Sequence, residues 1–164
     1  MLREKINAEI KKAMQEKNEL PLLVLRGLSA AIHNKEIEKR TKLSKNEKDI
    51  KKLEELSKLA EEEIVEAISS EAKKRKEAII EFEKGGRQDL VDKEKKELEI
   101  IKVYLPEQIS EDRIKEEVKK TIAEINAAGP RDTGKVMAAV MPKLKGKADG
   151  GLVSKIVGDL LKGD

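Results

Sequence analysis

The chain has 164 residues, 42% of them charged and 1% aromatic, with 36 basic against 33 acidic side chains and no cysteine. Such a length suits one or two small domains, and a single Tyr, a single Phe and no Trp leave Leu, Ile, Val, Ala and Met to build the core, which favours helix-on-helix packing over a sandwich or barrel. The absence of cysteine excludes disulfides and thiolate chemistry, and a net charge of only +3 means that a nucleic-acid partner would need a local patch.

The first predicted helix covers 2–17, with Leu2, Ile6, Ile10, Ala13 and Met14 on one face. Pro21 falls in the first turn of a second helix, where proline is tolerated. That helix carries Leu22, Leu25, Leu28 and Ile32 on one face, and its apolar-rich stretch 20–32 makes it the candidate for the most buried element. Its tail, 34–42, turns polar and basic. The stretch 44–84 then runs without Gly or Pro. Its apolar residues Ile50, Leu53, Leu56, Ala60, Ile64, Ala67, Ile68, Ala72, Ile79 and Phe82 are spaced mostly by threes and fours, which places them on one helical stripe. Ser44 with Glu47 reads as a capping box and Gly85-Gly86 as a stop. The pattern predicts one uninterrupted helix, about 60 Å long at ~1.5 Å per residue, acting as a strut for the first domain. A fourth helix over 88–104, using Leu90, Val91, Leu98, Ile101 and Leu105, is expected to fold back antiparallel on it.

The segment 106–110, opened by Pro106, reads as an elbow between two domains, 1–106 and 107–164. In the second, Ser110 is positioned to cap a helix reaching about 128 with Ile114, Val118, Ile122 and Ile125 inward. Gly129-Pro130 stops it. Asp132 is positioned to cap a helix with Val136, Met137, Val140 and Met141 inward, ending at Pro142. Asp149 is positioned to cap the last, with Leu152, Val153, Ile156, Val157, Leu160 and Leu161. The expected fold class is all-α: an N-terminal helical domain with one very long helix, and a small C-terminal three-helix bundle.

Candidate chemistry is sparse. His33, the only histidine, has no second His or Cys to share a metal. Ser69-Ser70 lie inside an unbroken helical pattern, unlike the Gly-rich loop that holds amidase serines. Gly129 to Lys135 fits seven positions of a Walker A loop, but Val136 stands where Ser or Thr should hold magnesium, and no strand is predicted before it. No catalytic residue, metal or cofactor is therefore assigned. The basic run Lys73, Lys74, Arg75 and Lys76 is flanked by Glu71, Glu77 and Glu81, so a solvated, ion-paired helix face is favoured. Lys135, Lys143, Lys145 and Lys147 gather around one loop, opposed within it only by Asp132 and Asp149. With no aromatic to stack on a base, such a patch would read nucleic-acid backbone and shape.

The order of motifs resembles the YqeY-like family, relatives of the tail domain of the B subunit of the tRNA-dependent amidotransferase. It is carried by Lys73 to Lys76, Glu81 to Arg87, Glu97 to Ile100, Tyr104 to Ile109, Gly134 to Met137, Met141-Pro142, and Lys145 to Gly150 with Leu152-Val153. The segment 46–62 is longer than the family pattern. The resemblance implies an all-helical, two-domain protein linked to tRNA-dependent amidation, a carbon–nitrogen ligase reaction with glutamine as amide donor. In that enzyme the tail grips tRNA while other domains perform the chemistry, so a tRNA-binding, translation-associated module without catalysis of its own is expected. The expected tRNA contacts are Lys135, Lys143, Lys145, Lys147 and Arg131, with Arg87 and the 73–76 run as an outer contact. The alternative is an adaptor that offers its long helices to another protein. The chain holds no 18-residue apolar run and begins without the apolar core of a secretory signal, so no membrane span and a cytoplasmic location are expected.

Overall fold

The computed structural model describes residues 1–162. Among the described residues there are eight α-helices, a short 3-10 turn and no strand, so the all-helical expectation holds. The chain divides into two compact units, Met1–Leu105 and Pro106–Asp164.

In the first unit, α1 (Leu2–Gln15) buries Ile6 and Ala13. It ends where Lys17 takes a positive φ of 53° and the Asn18 N–H donates to the Ala13 carbonyl at 2.9 Å. The next helix, α2 (Glu19–Leu43), buries Val24, Leu25, Leu28 and Ile32. These side chains meet Ile64, Ala67, Ile68 and Ala72 of α4 (Glu61–Lys84) and Leu98 and Ile101 of α5 (Gln88–Lys102) in one apolar core. Between α2 and α4 lies the short helix α3 (Ile50–Ser57). The turn after α4 needs Gly86, whose φ is +67°. Glu83 meets Lys95 next to that turn and Arg75 meets Glu97 farther from it, so α4 and α5 form an antiparallel hairpin.

The single strut over 44–84 is not what forms. Ser44 ends α2, and its hydroxyl donates to the Thr41 carbonyl at 2.9 Å. Glu47 accepts the Lys48 and Asp49 N–H groups at 2.8 and 2.9 Å. It therefore completes no box with Ser44. Asp49 is the cap of α3, accepting from the N–H groups of Lys51 and Lys52. At Lys58 the backbone leaves the helix with ψ 137°. The cause is tertiary. Glu36 of α2 accepts the Leu59 N–H at 3.3 Å, and Lys39 donates to the Lys58 carbonyl at 3.1 Å. Glu63 accepts the Ala60 N–H at 2.8 Å, which restarts the chain as α4. The polar groups freed by the break find partners, and Leu59 packs against the core.

In the second unit, Ser110 caps α6 (Glu111–Glu124) through the Arg113 N–H. The helix stops well before 128, because Asn126 takes a φ of 52°, and this leaves Ile125 37% exposed rather than inward. A 3-10 turn, Pro130–Asp132, leads into α7 (Thr133–Leu144). Pro142 does not end α7; it lies inside it. The partner carbonyl that proline leaves unpaired belongs to exposed Ala138, where water can reach it, while Leu144 beyond is buried in the core. Asp149 accepts the Leu152 N–H at 3.0 Å at the start of α8 (Gly150–Lys162). Ile114, Val118, Val136, Val140, Val153 and Val157 form the centre of this core.

Candidate nucleic-acid interface

The loop between α7 and α8 is held firmly. Gly146 turns the chain with φ +73°, and the Lys147 N–H donates to the Leu144 carbonyl at 3.0 Å. The Lys147 carbonyl accepts the Ile109 N–H at 3.0 Å, and the Gly146 carbonyl accepts the Gln108 amide at 2.7 Å. Lys145 and Lys147 project from this turn as exposed side chains. Lys147 shares an open groove of about 400 Å³ with Ile109, Arg113, Glu116, Glu117, Lys143 and Leu144.

Lys143 and Lys135 are ion-paired within the unit. Lys143 lies 2.8 Å from Glu124 and 3.2 Å from Glu117, with the Thr121 hydroxyl at 3.3 Å. Hydrogen bonds to Glu124 and then Glu117 push the Lys143 ammonium pKa up, and the bond to Lys143 pulls the Glu124 carboxyl down. Lys135 pairs with Asp132 at 3.1 Å. Asp132 provides no cap for α7; it accepts the Ala128 N–H at 3.0 Å. That bond, and then the one to Lys135, hold its carboxyl below the usual range. Arg131 is exposed. The acids that neutralise Lys143 come from α6, so the loop is less basic than its own sequence implies.

On the hairpin, Arg75 turns inward against Glu97 at 2.9 Å and Glu94 at 3.3 Å. Lys74 pairs with Glu71 at 2.6 Å, Lys73 approaches Glu77 at 3.9 Å, and Lys76 is exposed. Arg87 grips Asp89 with two hydrogen bonds, at 3.1 and 3.0 Å. These raise the guanidinium pKa and lower that of the carboxyl.

The positions set aside as catalytic behave as ordinary helix and turn residues. His33 is exposed on α2, and Ser69 and Ser70 lie within α4. The Gly129 to Lys135 segment follows a helix and a turn. A cleft of about 570 Å³ near the start of α4 is lined by Arg3, Glu36 and Glu61 among others. Of its carboxylates, Glu36 is engaged by Arg3 and the Leu59 N–H, Glu61 by the Leu2 N–H at 2.9 Å, and Glu4 by the N-terminal ammonium at 3.2 Å. Among the described residues no group of three or more His, Cys, Asp or Glu could hold a metal ion, and no helix is long and apolar enough to cross a membrane.

One basic surface lies outside the predicted set. Arg40, Lys42, Lys45, Lys48, Lys51 and Lys52, at the end of α2 and the start of α3, are all exposed. None of the six has an ion-pair partner among the described residues. The signal was present in the local charge balance, since 40–52 holds six basic residues and only Glu47 and Asp49 as acids.

The two helical units and the motif order define a class, and comparison with known proteins places the chain in it. The chain belongs to the YqeY family, described as Yqey-like protein, whose model matches residues 3–161. It is 31% identical over 160 residues to "Altered inheritance of mitochondria protein 41, mitochondrial" of Pyrenophora tritici-repentis, covering 96% of this chain and 79% of that protein. It is 32% identical over 127 residues to the protein of the same name from Lachancea thermotolerans, covering 76% of this chain and 60% of that protein. The expectation of a cytoplasmic location is overturned by these relatives, which are named as mitochondrial. It rested on the lack of a secretory signal, which has no bearing on mitochondrial proteins.

Proposed function

We propose that this YqeY-family protein is an RNA-binding, translation-associated module whose C-terminal unit contacts tRNA. The reading is supported chiefly by the pinned turn at Gly146. Hydrogen bonds from Gln108 and Ile109 fix its backbone, so Lys145 and Lys147 are displayed from a rigid base. A loop held by a packed scaffold is where binding groups are commonly placed, and preorganised cations lose less entropy on meeting phosphate. Arg131 and Arg113 are further exposed cations of the same unit. Lys135 and Lys143 are each engaged with a carboxylate. The resemblance to the amidotransferase tail suggests a link to tRNA-dependent amidation, and in this reading the amide chemistry belongs to other chains.

The test is filter retention of total tRNA by the purified protein at rising salt. Binding that weakens steeply with salt is expected, and the variant K145E/K147E should bind more weakly than the parent. No retention at low salt would end the proposal. A second reading, an adaptor for another protein, has its own observation: Leu23 and Ile37 stand 58% and 48% exposed on the outer side of α2. A partner retained from a nuclease-treated lysate, and lost on changing Leu23 and Ile37 to Ser, would favour it.

A further inference from the structure

The α2–α3 corner carries a local excess of cations in the Met1–Leu105 unit. Six cations fall within the thirteen residues 40–52. The two acids among them are occupied: Glu47 by the Lys48 and Asp49 N–H groups, Asp49 by the Lys51 and Lys52 N–H groups. Each carboxylate keeps its charge and accepts both backbone bonds on a single oxygen, and among the described residues neither forms an ion pair with a lysine. Lys48 reaches only the Ser44 carbonyl, at 3.0 Å. The contrast with the C-terminal unit is direct, since there Lys135 and Lys143 carry their own counter-charges.

A local excess of cations over acids raises the potential and attracts a polyanion over a Debye length of about 8 Å. Their arrangement suits a chain of phosphates. They are spread over a helix end, a turn and a following helix, so no single small anion could meet them all. A lipid surface is the weaker match. Between 40 and 52 the only exposed large apolar side chain is Ile50, and one side chain gives little to insert.

We propose that the α2–α3 corner is the main phosphate-contacting surface for RNA in this protein, with Arg40, Lys42, Lys45, Lys48, Lys51 and Lys52 as its contacts. This rests on the reading of the protein as an RNA-binding module, and it moves most of the electrostatic contact from the C-terminal loop to the N-terminal unit.

The experiment measures tRNA affinity from about 50 to 300 mM salt for the full chain, for K45Q/K48Q/K51Q/K52Q and for K145Q/K147Q, with R40Q/K42Q as an independent change on the same surface. Each neutralised phosphate contact lowers the log–log salt slope by roughly 0.7 to 0.9, so the corner variant should lose about 3 units of slope. It should bind at least tenfold more weakly at 100 mM salt, and R40Q/K42Q should move in the same direction. The substituted side chains are exposed, so helical circular dichroism should be unchanged. A corner variant that binds like the parent while K145Q/K147Q fails would overturn this inference and leave the RNA-binding reading intact. A parent protein that retains no tRNA at low salt would overturn both. Flotation of the parent with anionic phospholipid vesicles, without tRNA retention, would replace RNA with a membrane surface as the occupant.

Discussion

Arg75 on α4 places its Nε 2.9 Å from Oε2 of Glu97 on α5, and the Glu97 side chain is only 6% exposed. Glu94 adds a second carboxylate at 3.3 Å. The guanidinium is therefore the counter-charge for two acids at the hairpin seam, not a free cation of the basic run. Replacing it strands a buried carboxylate. Arg75→Met should destabilise the Met1–Leu105 unit by about 2 kcal/mol, less than the ~3–5 kcal/mol of a fully buried pair because the Arg75 side chain keeps 28% exposure. Urea unfolding, with amide exchange on α4 and α5 to assign the transition, measures this. R75M/E97L should recover only part of the loss, because it removes the Glu97 charge but leaves Glu94, 18% exposed, without its cation. Equal stability of R75M and the parent would show that the pair is immaterial.

Both cores could be read from sequence because they are periodic. Leu25, Leu28 and Ile32, and likewise Val136 and Val140, recur at helical spacing and lie inside. The break at Lys58 carries no such mark. No Gly or Pro stands there, and Ala60 and Ile64 continue the stripe. The groups that stabilise the break, Glu36 and Lys39, come from α2, some twenty residues earlier. Local pattern cannot report a partner at that separation. The same limit explains Lys143, whose acids Glu117 and Glu124 belong to α6. By contrast, the excess of cations over 40–52 is entirely local, and a windowed charge count finds it.

Asp49 caps α3 by accepting the Lys51 and Lys52 N–H groups at 2.9 and 3.2 Å. Asp49→Ala should cost about 1 kcal/mol, the usual loss of a side-chain cap, and the loss should be confined to α3 because the helix is only eight residues long. Faster amide exchange at Lys51 to Leu53, with α4 unchanged, is the expected result. The same change removes one of the two acids in the basic corner. If that corner contacts RNA, D49A should bind at least as tightly as the parent despite a looser α3, whereas a purely structural role for the corner gives no gain.

Acid and alkali should act on the C-terminal unit through Lys143 with Glu124, and through Asp132. The Glu124 and Asp132 carboxyls are held low by their hydrogen bonds, so the folded unit binds protons less readily there than the unfolded chain. Their contribution is full above the unfolded values near pH ~4 and is lost as pH falls through the lower folded values. Lys143 is shifted up, so its contribution is full below about pH 10.4 and is lost as pH rises through its folded value. Glu124 and Lys143 are exposed and Asp132 is partly so, and solvent screening keeps each effect small. E124Q should flatten the acid limb of a thermal-melt profile below pH 4 and also weaken the alkaline limb, since Lys143 loses its nearest acid. An acid limb identical to the parent's would show that this pair contributes nothing.

Gly146 carries the turn on which the displayed lysines depend. Its φ of +73° lies in the left-handed region, where a side chain costs about 1 kcal/mol or more. The strain would fall on the segment that receives the Gln108 amide and the Ile109 N–H. Gly146→Ala should therefore lower the stability of the Pro106–Asp164 unit by about 1 kcal/mol and loosen the loop, read as faster exchange at Ile109 and Lys147. Charge is unchanged, so the salt slope of tRNA binding should stay within error of the parent's while affinity falls modestly. That pattern separates positioning from electrostatics. If affinity is untouched although the loop has loosened, the ammonium groups of Lys145 and Lys147 work without preorganisation, and the rigid turn is there for folding alone.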